Sequence, residues 1–295
     1  MTKAFGLIII GDEILSGKRL DKHLPKVIEL LGARGLQLDY AHYVGDSPVR
    51  IAEALTRAFA SGDIVFSTGG IGATPDDHTR QCAARALSVP LALHPQAATL
   101  IRERMQDTAR EQGTVYEPDR PDNIHRLNMG VFPVGAEIIP NPYNKIPGFT
   151  IWSDQLSAGP PRGESTCAGS REPHGVGERG GVHFVPGFPV MAWPMLEWVL
   201  DSKYKNLHQT AAWLEKSVIV FGAMEAALTP LMEDIEREYR GAKVFSLPSV
   251  DHPEYGRHIE LGVKGTPSVV ERAYPALLEG LAKFTSKLGP QLVRS

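Results

Sequence analysis

Two cysteines in 295 residues, Cys82 and Cys167, leave the chain without a Cys-x-x-Cys pair. That argues against a zinc ribbon or a dithiol redox site, and a pair so far apart suits a reducing compartment better than a disulfide framework. Basic excess is lacking too. A net charge of −3 gives no reason to expect nucleic acid or an anionic membrane as partner. No apolar stretch reaches the length of a membrane span. The first one, residues 4–10, runs straight into Gly11-Asp12-Glu13 instead of the small-residue cleavage site of a secretory leader. Ten histidines include no His-Glu-x-x-His pair, and no Gly-x-Ser-x-Gly elbow is present, so covalent catalysis is not favoured. These absences predict a cytoplasmic protein with neither a nucleic-acid nor a membrane partner.

What is present is an alternation of strand and helix patterns. Residues 4–10 form a continuous apolar run, the pattern of a strand buried on both faces in a parallel sheet. An amphipathic stretch over 20–34 follows and stops at Gly35. Residues 36–44 read as a second strand, 48–60 as a helix with Ile51, Ala54, Leu55, Ala58 and Phe59 on one face, and 63–67 as a third strand. A helix is predicted over 75–87, another over 95–112, short strands over 136–140 and 148–151, a strand over 182–185 and a helix to about 200. Such βαβ repetition predicts an α/β fold, a three-layer and mostly parallel sheet with helices on both faces. Residues 152–181, rich in Gly, Pro, Ser and Arg, read as a flexible insertion adjoining the ligand edge. The rhythm changes after about residue 205. Strands over 216–221, 242–247 and 258–263, with helices over 224–239 and 267–288, predict a small α+β module over 206–295, following a domain over 1–205.

In a parallel sheet, ligands sit beyond the carboxyl ends of the strands. Two loops fall there. One is Gly11-Asp12-Glu13-Ile14-Leu15-Ser16-Gly17. The other is Gly69-Gly70-Ile71-Gly72-Ala73-Thr74-Pro75-Asp76-Asp77-His78-Thr79. Glycines after a buried strand let backbone approach a ligand, and the helix start that follows offers unpaired N–H groups and a positive dipole end, which together suit a phosphate. Neither loop has Walker spacing, and no glycine follows Gly72 at the interval of a dinucleotide fingerprint. The acids admit two readings. Thr74 caps the helix with Pro75 at its first position and Asp76 and Asp77 favouring the positive end. Alternatively Asp76, Asp77 or both, with Asp12 or Glu13, hold Mg²⁺ or a similar cation between themselves and the phosphate. Ser16 and Gly17 would face the same crevice. The turn over 141–148 contributes Asn144 and Lys145, whose charge could neutralise a phosphate, and Pro186-Gly187-Phe188-Pro189 repeats the strand–glycine–helix theme.

Taken in order, the segments 11–18, 68–79, 141–149 and 185–189 resemble the signature segments of the molybdopterin-binding domain of the CinA (competence/damage-inducible protein A) family, over roughly residues 3–200. The tail, with Gly222-Ala223-Met224-Glu225 opening a helix, is similar to the small module that follows in that family. The resemblance implies a fold related to molybdenum-cofactor biosynthesis proteins and a homodimer. It also implies a metal-dependent (Mg, Mn or Co) pyrophosphatase acting on ADP-ribose or a related nucleotide, with Asp76 and Asp77 as catalytic and metal-binding residues. Asp12, Glu13, Gly69, Gly70, Gly72 and Thr79 would contact the ligand, together with Ser16, Gly17, Thr74, Asn144, Lys145 and Gly187 from the loop reading. The alternative is a molybdopterin- or nucleotide-binding protein of molybdenum-cofactor metabolism without hydrolysis. The deamidase domain of longer relatives is expected to be absent, and Ala73 stands where many relatives carry proline.

Overall fold

The computed structural model describes residues 3–153, 179–208, 214–284 and 287–294, in two compact units, 1–208 and 209–295. In the first unit the chain runs β1 (Phe5–Ile10), α1 (Asp12–Leu15), α2 (His23–Gly32), β2 (Tyr40–Val44), α3 (Pro48–Ser61), β3 (Ile64–Thr68), α4 (Thr79–Leu87), β4 (Leu91–Leu93), α5 (Pro95–Glu111), α6 (Pro121–Arg126), β5 (Val131–Pro133), β6 (Glu137–Ile139), β7 (Gly148–Trp152), β8 (Gly181–Val185) and α7 (Pro189–Lys203). The main sheet has the order β2-β1-β3-β8-β7-β6. Its first four strands are parallel, while β7 runs against β8 and β6 against β7.

The apolar runs dictate this architecture. Alternate side chains of one strand leave opposite faces of the sheet, so both faces of β1 must be covered. Ile8, Ile10 and Val65 pack under Ile51, Leu55 and Phe59 of α3 and Cys82 and Ala83 of α4. Leu7, Ile9 and Phe66 pack under Leu30 and Leu31 of α2 and Met195, Leu196 and Val199 of α7. Three layers result. One polar group is sunk in the sheet: His183 on β8, fully buried, lies 2.9 Å from the Thr150 hydroxyl and 2.7 Å from the Tyr204 hydroxyl. Burial, aided by the nearby Lys203 charge, pushes its pKa down to about 3, so it is a neutral imidazole with both ring nitrogens hydrogen-bonded.

Several boundaries differ from the sequence expectation. The helix expected from residue 75 begins at Thr79, because residues 71–78 form a loop closed by Asp77 on Thr74. The second strand starts at Tyr40, not 36, because Asp39 is tied across to Phe5, with its carboxylate accepting from the Phe5 amide at 2.7 Å. Most of the predicted insertion 152–181 lies outside the described residues. Its two ends do not adjoin the ligand edge: Trp152 and Gly181 pair directly across β7 and β8, at the amino end of β8, the opposite edge of the sheet from the glycine loops. No described helix is long and apolar enough to cross a membrane.

The second unit runs β9 (Leu214–Phe221), α8 (Glu225–Glu238), β10 (Lys243–His252), β11 (Gly256–Gly265), α9 (Pro267–Leu281) and β12 (Lys287–Arg294), with an antiparallel sheet ordered β10-β11-β9-β12. Val218, Val220, Leu261, Val263, Leu228 and Leu277 are in its core. The helix expected to reach residue 288 stops at Leu281, and the chain returns as β12. Gly289-Pro290 disfavours helix, and Pro290 sits where the register with β9 shifts between Leu288 and Gln291, a place where a missing N–H is tolerated.

Candidate functional site

The carboxyl ends of β1, β2, β3 and β8 lie on one edge of the sheet, as the pairings Ile10 with Val44 and Thr68 with Val185 require. The antiparallel pairing of Ile139 with Gly148 and Phe149 with Phe184 brings the turn between β6 and β7 to the same edge. All four loops singled out in the sequence therefore open on one side of the molecule.

The glycine loop after β3 is held from behind. Gly69 and Gly70 have φ of 96° and 69°, conformations that L side chains rarely adopt. A Cβ at 69 would drive into the carbonyl oxygen of Ile10, and one at 70 into the hydroxyl of Thr79. Thr79, expected among the ligand contacts, is fully buried and serves the loop instead: its hydroxyl donates to Gly69 O at 3.1 Å and its amide to Gly70 O at 3.0 Å. Gly72 leaves room for the side chain of Asp77, since a Cβ there would lie 2.5 Å from Asp77 Oδ2. That oxygen accepts from the Thr74 amide at 2.8 Å and the Thr74 hydroxyl at 2.6 Å. Thr74 is thus not a helix cap; it closes a tight turn with Asp77, and Asp76 stands exposed beside it.

A rim of acids faces the loop. The Asp12 amide donates to the Asp46 carboxylate at 2.9 Å, and the Asp46 amide returns a bond to Asp12 Oδ1 at 3.1 Å. Burial raises the Asp46 pKa. The bond from the Asp12 amide opposes this, while the carboxylates of Asp12, Glu13 and Asp76 add to it. Glu13 lies 4.0 Å from Arg19. Ser16 and Gly17 form the exposed turn that ends α1, with the Ser16 amide on Asp12 O.

The remaining predicted residues are differently engaged. Gly187 is exposed, and a Cβ there would sit 3.4 Å from the Cα of Gly69, so the fourth loop abuts the glycine turn. The Asn144 side-chain oxygen accepts from Asn141 Nδ2 at 2.8 Å and the Ile146 amide at 3.0 Å, while its Nδ2 donates to Met191 Sδ on α7 at 3.2 Å. Lys145 is turned toward α5, with Nζ 2.8 Å from Asp107 and 3.4 Å from Glu103, and these acids raise its pKa. Its charge is committed there. No described group of three or more His, Cys, Asp or Glu side chains is arranged to hold a metal ion.

Three residues at the site were missed from sequence. Asp46 had a signal, because Val44-Gly45-Asp46 repeats the strand–Gly–Asp order of Ile10-Gly11-Asp12. His23, buried, reaches Gly187 O with Nε2 at 2.9 Å. Arg80, also buried, binds the carbonyls of Gly72 and Asn128. Neither stands out in a linear pattern.

The sheet order and the loops gathered at its carboxyl edge define a three-layer α/β domain with glycine turns on one edge. The chain belongs to the family described as probable molybdopterin binding domain, whose model matches residues 6–206. A CinA-like protein of Anaeromyxobacter dehalogenans (strain 2CP-1 / ATCC BAA-258) is 31% identical over 234 residues, covering 77% of this chain and 48% of that one. A CinA-like protein of Geobacter sp. (strain M21) is 28% identical over 286 residues, 97% of this chain and 58% of that one. The chain thus spans about half the length of the curated relatives it matches. The crystal structure of the protein CinA with unknown function from Thermoplasma acidophilum is 24% identical, with 68% of this chain and 98% of that one covered and a TM-score of 0.49.

These matches overturn the first functional expectation. The family description is of molybdopterin binding, and the relatives' names speak of likeness to CinA; neither carries a metal-dependent ADP-ribose pyrophosphatase. In the structure, Oδ2 of Asp77, the residue that the resemblance assigns to metal and catalysis, accepts from the amide and hydroxyl of Thr74.

Proposed function

We propose that the first unit is a molybdopterin-binding domain of molybdenum-cofactor metabolism that holds the ligand's terminal phosphate on the glycine loop after β3, without hydrolysing it. One observation carries the reading. Thr79 pins the carbonyls of Gly69 and Gly70 toward α4. In a trans peptide the C=O and the next N–H point opposite ways, and no described peptide bond is cis. The amides of Gly70 and Ile71 therefore face away from α4, and among the described residues neither has an acceptor. Successive amides aimed at one side of a loop make an anion-binding concavity. The pterin end would then lie toward the loops of residues 11–17 and 186–188. The family match supports molybdopterin as the ligand over other phosphates.

The test is an anaerobic titration of the ¹⁵N-labelled protein with molybdopterin. The expected result is saturable binding, one ligand per chain, with shifts at Gly70 and Ile71 and competition by inorganic phosphate. Binding that leaves those amides unmoved, or no binding, would overturn the reading.

A further inference from the structure

Arg80 is the second residue of α4 and is 5% exposed. Its two terminal nitrogens donate to the carbonyls of Gly72 and Asn128, while its Nε–H is buried with no acceptor among the described residues. A guanidinium carries five donors and a charge that it does not shed. Here it is given two neutral carbonyls and, as its charged neighbour, Asp77, one of whose oxygens is already taken by Thr74. Burial accordingly lowers its pKa. Tying two carbonyls together needs only a neutral donor, and filling the space needs only an apolar chain. A buried cation whose one neighbouring carboxylate already accepts from Thr74 is incompletely offset in the free protein, and an anion bound in front of the loop would complete the compensation.

We infer that Arg80 is the positioning residue of the anion site: it fixes the peptide group between Gly72 and Ala73 with its N–H toward the ligand, and it supplies the buried positive charge that a bound phosphate offsets. The peptide geometry is the same as at Thr79. With Gly72 O held by Arg80, the Ala73 N–H points the opposite way, and it has no acceptor among the described residues. A charged donor on the carbonyl also polarises the shared peptide group, which makes the Ala73 N–H the stronger donor. Two adjacent residues of α4 thus orient three amides, those of Gly70, Ile71 and Ala73. The assignment rests on the loop as the phosphate site and adds the source of its charge, with phosphate or pyrophosphate esters as the ligand class.

The experiment is a titration of the full ¹⁵N-labelled chain with inorganic phosphate and with pyrophosphate, read at the amides of Gly70, Ile71 and Ala73, for the native protein and for Arg80→Lys, Arg80→Gln and Arg80→Met. Arg80→Lys keeps the charge but loses the fork that holds two carbonyls, and is expected to bind more weakly than the native protein and more tightly than Arg80→Gln. Arg80→Gln and Arg80→Met are expected to lose about 10-fold or more, the scale of one charge-assisted hydrogen bond, with the Ala73 shift most reduced. A purely structural tie would lower stability without separating Lys from Gln in affinity. A folded Arg80→Met protein with native phosphate affinity would overturn the role of Arg80 while leaving the loop as the site. Should Arg80→Met fail to fold, Arg80→Lys binding no better than Arg80→Gln would overturn it equally. A native protein whose loop amides respond to neither anion would overturn the site itself.

Discussion

The hydroxyl of Thr79 donates to the carbonyl of Gly69 across 3.1 Å, ten residues back along the chain and wholly out of solvent. This bond couples the start of α4 to the end of β3 and fixes which way the loop amides face. Thr79→Val keeps the shape and removes the donor, leaving a buried carbonyl unpaired. The expected cost is about 1–3 kcal/mol in urea unfolding, together with weaker phosphate binding because the loop loses its anchor. Thr79→Ser should restore both. Native stability in Thr79→Val would mean that the bond holds nothing in place.

The glycines of the two leading loops should separate sharply on substitution. Gly17 has φ of 72° with nothing within 4 Å of a would-be Cβ, so Gly17→Ala costs only backbone strain, about 1–2 kcal/mol. Gly69 has the strain and a collision as well, since its Cβ would meet the backbone of Ile10, which is paired with Val44 in the β1–β2 ladder and cannot yield alone. Gly69→Ala is expected to lose more than about 4 kcal/mol or to give no soluble protein. Equal melting temperatures for the two variants would contradict the packing of this turn.

That contrast also marks how far the sequence could be read. The apolar runs of β1 and β3 and the helical face of α3 located the sheet and its loaded edge, because burial on both faces leaves a direct imprint on composition. Gly69, Gly70 and Gly72 were legible as special, but their reasons were not: each makes room for a piece of this protein, Ile10, Thr79 and Asp77, before any ligand arrives. Thr79 stands out only through the family resemblance, as a ligand contact, and Arg80 looks like an ordinary polar residue at a helix start; in the structure both are buried. Lys145 is drawn off by Asp107 on a helix distant in sequence, which no local pattern encodes. The strand β12 was hidden because its apolar spacing continues that of α9 until Gly289-Pro290.

His183 makes the first unit acid-sensitive. Its folded pKa of about 3 lies below the unfolded value of 6.5 because burial disfavours the cation. Between those values the unfolded chain binds the extra proton, so the contribution is complete above pH 6.5 and is lost as pH falls toward 3. From this group alone, stability at pH 5 should be about 2 kcal/mol lower than at pH 7.5. His183→Leu leaves the Thr150 and Tyr204 hydroxyls short of a partner, and so starts less stable, but its urea midpoint should fall less steeply over this range. Parallel pH profiles for the two proteins would remove His183 as the sensor.

The acidic rim sets a final test, on the sign of an electrostatic effect. Asp12, Glu13 and Asp76 are close enough to Asp46 to raise its pKa alongside burial. Those carboxylates therefore share one small region beside the amides proposed to take the phosphate. Like charges at this range repel, and the repulsion is screened within about 10 Å at 0.1 M salt. Asp76 is exposed, and Asn in its place keeps an acceptor for the Thr74 hydrogen bond that lowers the Asp76 pKa. Asp76→Asn should therefore tighten phosphate binding severalfold at low ionic strength in the presence of a chelator, and the gain should shrink at high salt. The opposite outcome carries equal information. If Asp76→Asn weakens binding, and the native protein alone gains affinity on adding Mg²⁺, Mn²⁺ or Co²⁺, then the carboxylate is holding a cation against the ligand, and repulsion is not what the rim contributes.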